Sequence, residues 1–208
     1  MVVGVTGYGI YIPKYRIDRS IIGKAWSGRS RGQNAVAGTD EDVITMAAEA
    51  ALNAVTHADI DSTRDLETLY FGTSSALDFE HSSLGVIGEV LRASDEIDYA
   101  EFTASPRASF AAFKACQDAA ASGRITNGLV IGAEQRATAA GSPEEMNCGD
   151  GAVAIMLGAN NVIAEIDAVY SYATNIVDRW RGADSDFVKE YEPRFTRDYG
   201  YKQHIIAA

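Results

Sequence analysis

The segment Glu101-Phe-Thr-Ala-Ser-Pro-Arg-Ala-Ser-Phe-Ala-Ala-Phe-Lys-Ala constrains the fold of this chain more than any other. Its first residues close an apolar strand predicted over Ile97 to Thr103. A Ser-Pro pair then imposes a turn, and small apolar residues continue as a helix from Pro106 to Ser122. Proline bars its predecessor from helical backbone angles but suits the first turn of a helix, so strand and helix meet abruptly. An elbow of this kind lifts one side chain to a helix N-terminus, where backbone N–H groups and the helix dipole stabilise a developing anion. Ser105 is that side chain. The same residues also describe an ordinary βα connection with Ser105 as N-cap and Pro106 as first helical residue, and the segment alone leaves both readings open.

The flanking pattern sets the fold class. A strand rich in Val, Ile, Tyr and Gly is predicted over Val2 to Pro13. From Asp40 to Thr56, Val43, Ile44, Ala47, Ala48, Ala51, Leu52 and Val55 recur at helical spacing, with Thr39 or Asp40 as the expected cap. Leu66 to Thr73 and Gly128 to Ala133 read as buried strands, and Ser82 to Leu91 as a short helix. Gly151 to Leu157 and Val162 to Ser171 are expected to form a hairpin turning at Gly158-Ala-Asn-Asn. Strands alternating with helices and closing on a hairpin predict a layered α/β domain with a mixed sheet. The opening Gly4-Val-Thr-Gly-Tyr-Gly lacks the spacing of a dinucleotide-binding fingerprint.

Function classes narrow further on charge and sulfur. With 18 basic against 29 acidic residues the formal charge is −11, which disfavours nucleic acid as a partner. No apolar run reaches the ~18 residues of a membrane span and the start lacks a signal peptide, so a cytoplasmic protein without membrane attachment is expected. Cys116 and Cys148 make neither a disulfide framework nor a zinc set, so no metal is expected. On the predicted helix Cys116 would lie roughly 16 Å along the axis from Ser105, too far to replace it as a nucleophile. Cys148 reads as a small buried residue, with a loop position near a pocket as the alternative. His57, His81 and His204 are isolated, each read as a surface or packing residue. Glu134, after a buried strand, and Arg107, beside Ser105, are the charged groups expected nearest the elbow, either in a site or as a rim salt bridge.

Several segments carry a family resemblance when taken in order. These are Val3 to Ile17 with its Gly4, Gly7 and Gly9, Gly38-Thr-Asp-Glu-Asp-Val, Leu69-Tyr-Phe-Gly-Thr-Ser-Ser and the elbow itself. Leu129-Val-Ile-Gly-Ala-Glu, Gly149-Asp-Gly-Ala-Val-Ala-Ile-Met-Leu-Gly and the tail from Pro193 to Ala208 complete the set. Together they resemble the N-terminal half of the thiolase superfamily, and most nearly its archaeal-type hydroxymethylglutaryl-CoA synthase branch. The resemblance implies a thiolase-like layered fold, αβαβα when complete, to which this chain supplies mainly the N-terminal half. Residues 1–172 would form that half-domain, and 173–208 a rim segment and the start of the second half. The alanine-rich elbow helix would then lie between two sheets, and the chain would be a fragment, one part of a split protein, or completed by a partner.

In that family an elbow cysteine takes an acyl group from acyl-CoA, a glutamate after the second strand acts as acid and base, and a histidine comes from the second half. Matched residue by residue, the cysteine position falls on Ser105 and the glutamate position on Ser74. The resemblance thus implies a coenzyme A thioester as substrate, no covalently bound cofactor, and acyl transfer with Claisen-type carbon–carbon bond chemistry if the chain is active. Arg29 would meet CoA phosphates or be a solvated loop residue. N–H groups around Gly149 and Gly151, with Arg107, would hold the thioester. A homodimer, or a hetero-oligomer with a thiolase and an OB-fold zinc-ribbon protein, is the implied assembly. A catalytically silent scaffold subunit in such a complex is the alternative.

Overall fold

The computed structural model describes residues 2–26, 28–78 and 80–207. A six-stranded sheet organises them. Its strands are β1 (Gly4–Tyr11), β4 (Thr68–Gly72), β5 (Asp98–Phe102), β6 (Asn127–Glu134), β7 (Gly151–Gly158) and β8 (Ala164–Glu165), arranged β5-β4-β6-β7-β1-β8. β5, β4 and β6 run parallel, and β7 lies antiparallel between β6 and β1. Two short strands, β2 (Tyr15–Asp18) and β3 (Gln33–Val36), pair separately around helix α1 (Arg19–Ala25).

Helices cover the two faces for different reasons. On one face lie α2 (Val43–Ala58) and α3 (Leu84–Leu91), whose Met46, Ala47, Leu84 and Ile87 pack on Leu69, Phe71, Ile131 and Met156. The backbone of α2 seats directly on β1, because a methyl group at Gly9 would collide with the carbonyl of Ala50. On the opposite face α4 (Ala108–Ala121) presents Ala112, Cys116, Ala119 and Ala120 to Tyr70, Val130 and Leu157. Small side chains bring α4 close to the sheet, and a side chain at Gly72 would strike the backbone of Ser109. Neighbouring α4, Ile10 and its register partner Val153 stay 53% and 43% exposed, and Phe110 stays exposed on the outer side of α4.

Three sequence expectations shift. The cap of α2 is Asp42, which accepts from the N–H groups of Ile44 and Thr45 while Thr45 Oγ1 accepts the Asp42 N–H in a capping box. Its neighbour Glu41 is engaged by Tyr11 and by the Gly38 N–H, so it takes no part in capping. Helix α4 starts two residues after the expected point: Arg107 is its N-cap, and the Ser-Pro pair forms a preceding turn closed by Ala108 N–H to Ser105 O at 3.0 Å. The expected hairpin does not form. Both edges of β7 are occupied, by β6 and β1, so the chain after Gly158 crosses to the free edge of β1, where β8 pairs Ala164 with Val5.

After β8 the chain carries little regular structure until β9 (Arg179–Trp180) pairs with β10 (Lys189–Glu190). A helical tail follows, comprising Pro193–Phe195, a π-helical turn Thr196–Tyr201 and Lys202–Ala207. No helix among the described residues is long and apolar enough to cross a membrane.

Candidate active site

Because β4, β5 and β6 are parallel, the three loops leaving their C-terminal ends gather at one edge of the sheet, the position where open α/β sheets bind ligands. Loop 73–75 after β4 is held in place by Thr73, whose N–H donates to Phe102 O at 3.0 Å and whose Oγ1 accepts the Ser75 N–H at 2.9 Å. The elbow after β5 carries Ala104 at φ 60°, a left-handed conformation uncommon for a residue with a Cβ. β6 ends at Glu134, and Gln135 and Arg136 follow it.

These loops and the β9 segment enclose a cavity of ≈ 250 Å³. Ser74 and Ser105, 31 positions apart by number, both line it, together with Ala104, Arg136, Trp180 and Arg181. The two serines differ in surroundings. Ser105 Oγ accepts the Arg107 N–H at 3.1 Å, an intra-turn bond, and meets no carboxylate. Ser74 Oγ donates to Glu134 Oε2 at 2.9 Å and accepts from Arg136 Nη2 at 2.8 Å, while its N–H donates to Glu134 Oε1 at 2.8 Å. Ser75 Oγ donates to the same carboxylate at 2.6 Å. Arg136 Nε faces Glu134 at 3.7 Å, and Arg181 Nη2 donates to Ser74 O at 3.2 Å. Arg179 is balanced by Glu144 at 3.2 Å and Glu190 at 3.4 Å.

Other expected site residues lie elsewhere. Arg107 stacks over the Phe110 ring, 5.6 Å from its centroid, on the outer side of the elbow. Neither Gly149 nor Gly151 lines the cavity; Gly149 lies against the Ala35 backbone and Gly151 against the Tyr11 carbonyl. Between them Asp150 uses its N–H on Ala35 O and accepts the Ala37 N–H at 2.8 Å, and burial pushes its carboxyl above the ordinary range. Arg29 is exposed, outside the cavity lining. Cys116 is buried against the sheet beside Thr68, and burial pushes its thiol up to about 11. Cys148 is half-buried, its thiol raised by burial first, with Arg136 and Arg179 among the charges acting on it. His57 accepts the Tyr8 N–H, His81 faces Asp78, and His204 meets Thr174; none lines the cavity.

Sequence reasoning placed Glu134 near the elbow and the Arg179-Trp180-Arg181 run within a rim segment, but passed over Arg136. Arg136 stands two residues past the C-terminal end of β6, a buried parallel strand, which is the signal that would have marked it.

No family model matches the chain. Over 214 residues it is 33% identical to the hydroxymethylglutaryl-CoA synthase of Methanopyrus kandleri, covering 99% of this chain and 61% of that protein. It is 34% identical over 213 residues to the synthase of Methanocaldococcus jannaschii, with the same coverage of 99% and 61%. Among solved structures, "MvaS in complex with 3-hydroxy-3-methylglutaryl coenzyme A" superposes with a TM-score of 0.85 at 18% identity, covering 99% of this chain and 54% of that one. The chain is similar to archaeal hydroxymethylglutaryl-CoA synthases along their N-terminal part and has the thiolase-like fold. It spans about 61% of the length of these curated relatives, their N-terminal part. The thiolase-like fold anticipated from the ordered motifs is therefore the fold of this hydroxymethylglutaryl-CoA synthase-like chain, with the cavity at the C-terminal ends of its parallel strands.

Proposed function

We propose that this chain binds coenzyme A thioesters with the acyl group in the cavity between Ser74 and Ser105, and carries out acyl transfer with Claisen-type carbon–carbon bond chemistry. One observation carries the reading: the residues that the family resemblance puts at the nucleophile and acid–base positions line a single cavity. Hydroxyls at these positions change the chemistry. A thiol is a few per cent ionised at neutral pH and strongly nucleophilic, whereas a serine needs an adjacent base. Cys116 is sequestered on the far part of α4, and Cys148 is not among the residues lining the cavity. Residues 1–172 would act as the first half of the thiolase-like unit, with 173–208 forming the rim and leading into the second. The protein would work in the cytoplasm as a homodimer or hetero-oligomer.

The test is titration calorimetry of the full-length protein with acetyl-CoA and with CoA, followed by assay of acetyl transfer to an acyl-CoA acceptor. Saturable binding weakened by Arg181→Ala is expected. No binding of either compound overturns the reading.

A silent subunit that holds CoA or scaffolds a thiolase and an OB-fold protein is favoured by a different observation, the absence of a thiol among the described residues lining the cavity, together with the exposed register partners Ile10 and Val153. Co-purification with such partners and no acyl transfer would select it.

A further inference from the structure

The geometry points to Ser74, and not the elbow serine, as the acyl-accepting nucleophile of this cavity, with Glu134 as its base and Arg136 as the cation that stabilises its oxygen. The inference rests on the acyl-transfer reading above and assigns the step within it.

A serine becomes nucleophilic when a base lies within hydrogen-bonding reach and is itself held by a third group. Ser74 meets both conditions. Its hydroxyl donates to Glu134 Oε2 at 2.9 Å, and the carboxylate is fixed through Oε1 by the Ser74 N–H at 2.8 Å. The Arg136 guanidinium donates to Ser74 Oγ at 2.8 Å. A cationic donor on the attacking oxygen favours its ionised form and orients the remaining lone pair. Ser105 has only a backbone N–H on its oxygen and nothing to take its proton. Ser75 shares the carboxylate at 2.6 Å, but its oxygen accepts only the Gln135 N–H at 3.3 Å, so no cation supports a negative charge there. Ala104, at the left-handed position of the elbow, adds a methyl group to the cavity wall where a reactive side chain could have stood.

The step balances without a further reactant. Ser74 Oγ attacks the thioester carbonyl carbon, the Oγ–C bond forms and the C–S bond breaks. The hydroxyl proton passes to Glu134 Oε2 and from there to the departing thiolate, leaving an acyl ester on Ser74 and free CoA thiol.

The experiment uses p-nitrophenyl acetate on the full-length protein, with peptide mapping by mass spectrometry, so that acylation is read independently of CoA binding. An acetyl group on the Ser74 peptide is expected, kept in Ser105→Ala and Ser75→Ala and lost in Ser74→Ala. Glu134→Gln keeps an acceptor for the same donors but cannot take the proton, and should slow labelling by about a hundredfold to ten-thousandfold. Ser74→Cys should label faster than the parent. Acetyl on Ser105, Ser75 or Cys148, no labelling at all, or an inert Ser74→Cys protein overturns the assignment. CoA titration of the same samples distinguishes its failure from failure of the wider reading: bound CoA with an unreactive Ser74 sinks only the nucleophile.

Discussion

A single methyl group at Gly72 is the perturbation that best tests how the cavity is built. Gly72 ends β4, and a Cβ there would collide with Ser109 N and Cα at the first turn of α4. Ser109 Oγ also donates to Gly72 O at 2.9 Å, so strand and helix are pinned at this point. Two terms oppose each other in Gly72→Ala. Reduced freedom of the unfolded chain favours the variant by about 0.4–1 kcal/mol. Overpacking against backbone, which cannot rotate away, costs about 1–3 kcal/mol. Overpacking wins, for a net loss of about 1–2 kcal/mol, or roughly 2–8 °C in Tm for a chain of this size. Gly85→Ala is the control, since Gly85 lies exposed in α3 with nothing within 4 Å of the added methyl. Its helix propensity gain is up to about 1 kcal/mol, so its Tm should rise. Urea denaturation followed by circular dichroism measures both, with equal m-values showing that stability alone has changed. If Gly72→Ala melts at or above the parent temperature, α4 does not seat tightly on β4, and the cavity geometry derived from that seating fails with it.

Other expectations are simpler to state. The Tyr70 hydroxyl at 2.8 Å and Arg124 at 2.9 Å hold the Asp98 carboxyl below its ordinary value. Its stabilisation is therefore present above the usual carboxylate pKa of about 4 and is lost as pH falls through the depressed folded value. Asp98→Asn should flatten that acid limb, and an unchanged pH–stability curve would refute the linkage. Native alkylation with iodoacetamide should reach Cys148 and spare Cys116, which burial holds at about 11 and which should react only in urea; prompt native labelling of Cys116 would contradict its burial. Arg181→Ala, which removes the bond from the rim to Ser74 O, should change stability by no more than about 0.5 kcal/mol while accelerating proteolysis within 173–192. Equal cleavage rates would mean that the rim is held by other contacts.

What the sequence disclosed follows from where apolar burial is strong. The buried strands at Leu69–Phe71 and Leu129–Ile131 emerge from continuous apolar runs, because both faces of the sheet are covered there, and α2 emerges from the helical spacing of its apolar stripe. The β2–β3 pair did not, since Tyr15, Arg16, Gln33 and Val36 are exposed and carry no such pattern. Nor did the true partner of β8: a turn at Gly158-Ala-Asn-Asn signals a reversal, but only the strand order reveals that β7 has no free edge.

The same limit governed the site. Glu134 was legible as a carboxylate following a buried strand, and Ser74 as a polar residue following another, yet their partnership depends on β4 lying beside β6. Once that neighbour relation is known, the contact is forced. The parallel register sets Gly72 against Gly132, so two residues further along each strand Ser74 meets Glu134. Side chains alternate with a period of two, so this step returns both residues to the face that Gly72 and Gly132 share, the face on which Ser109 of α4 packs. The dyad is thus a consequence of strand order and pleat. A one-residue slip of β6 against β4 would turn Glu134 to the opposite face and separate the base from the hydroxyl.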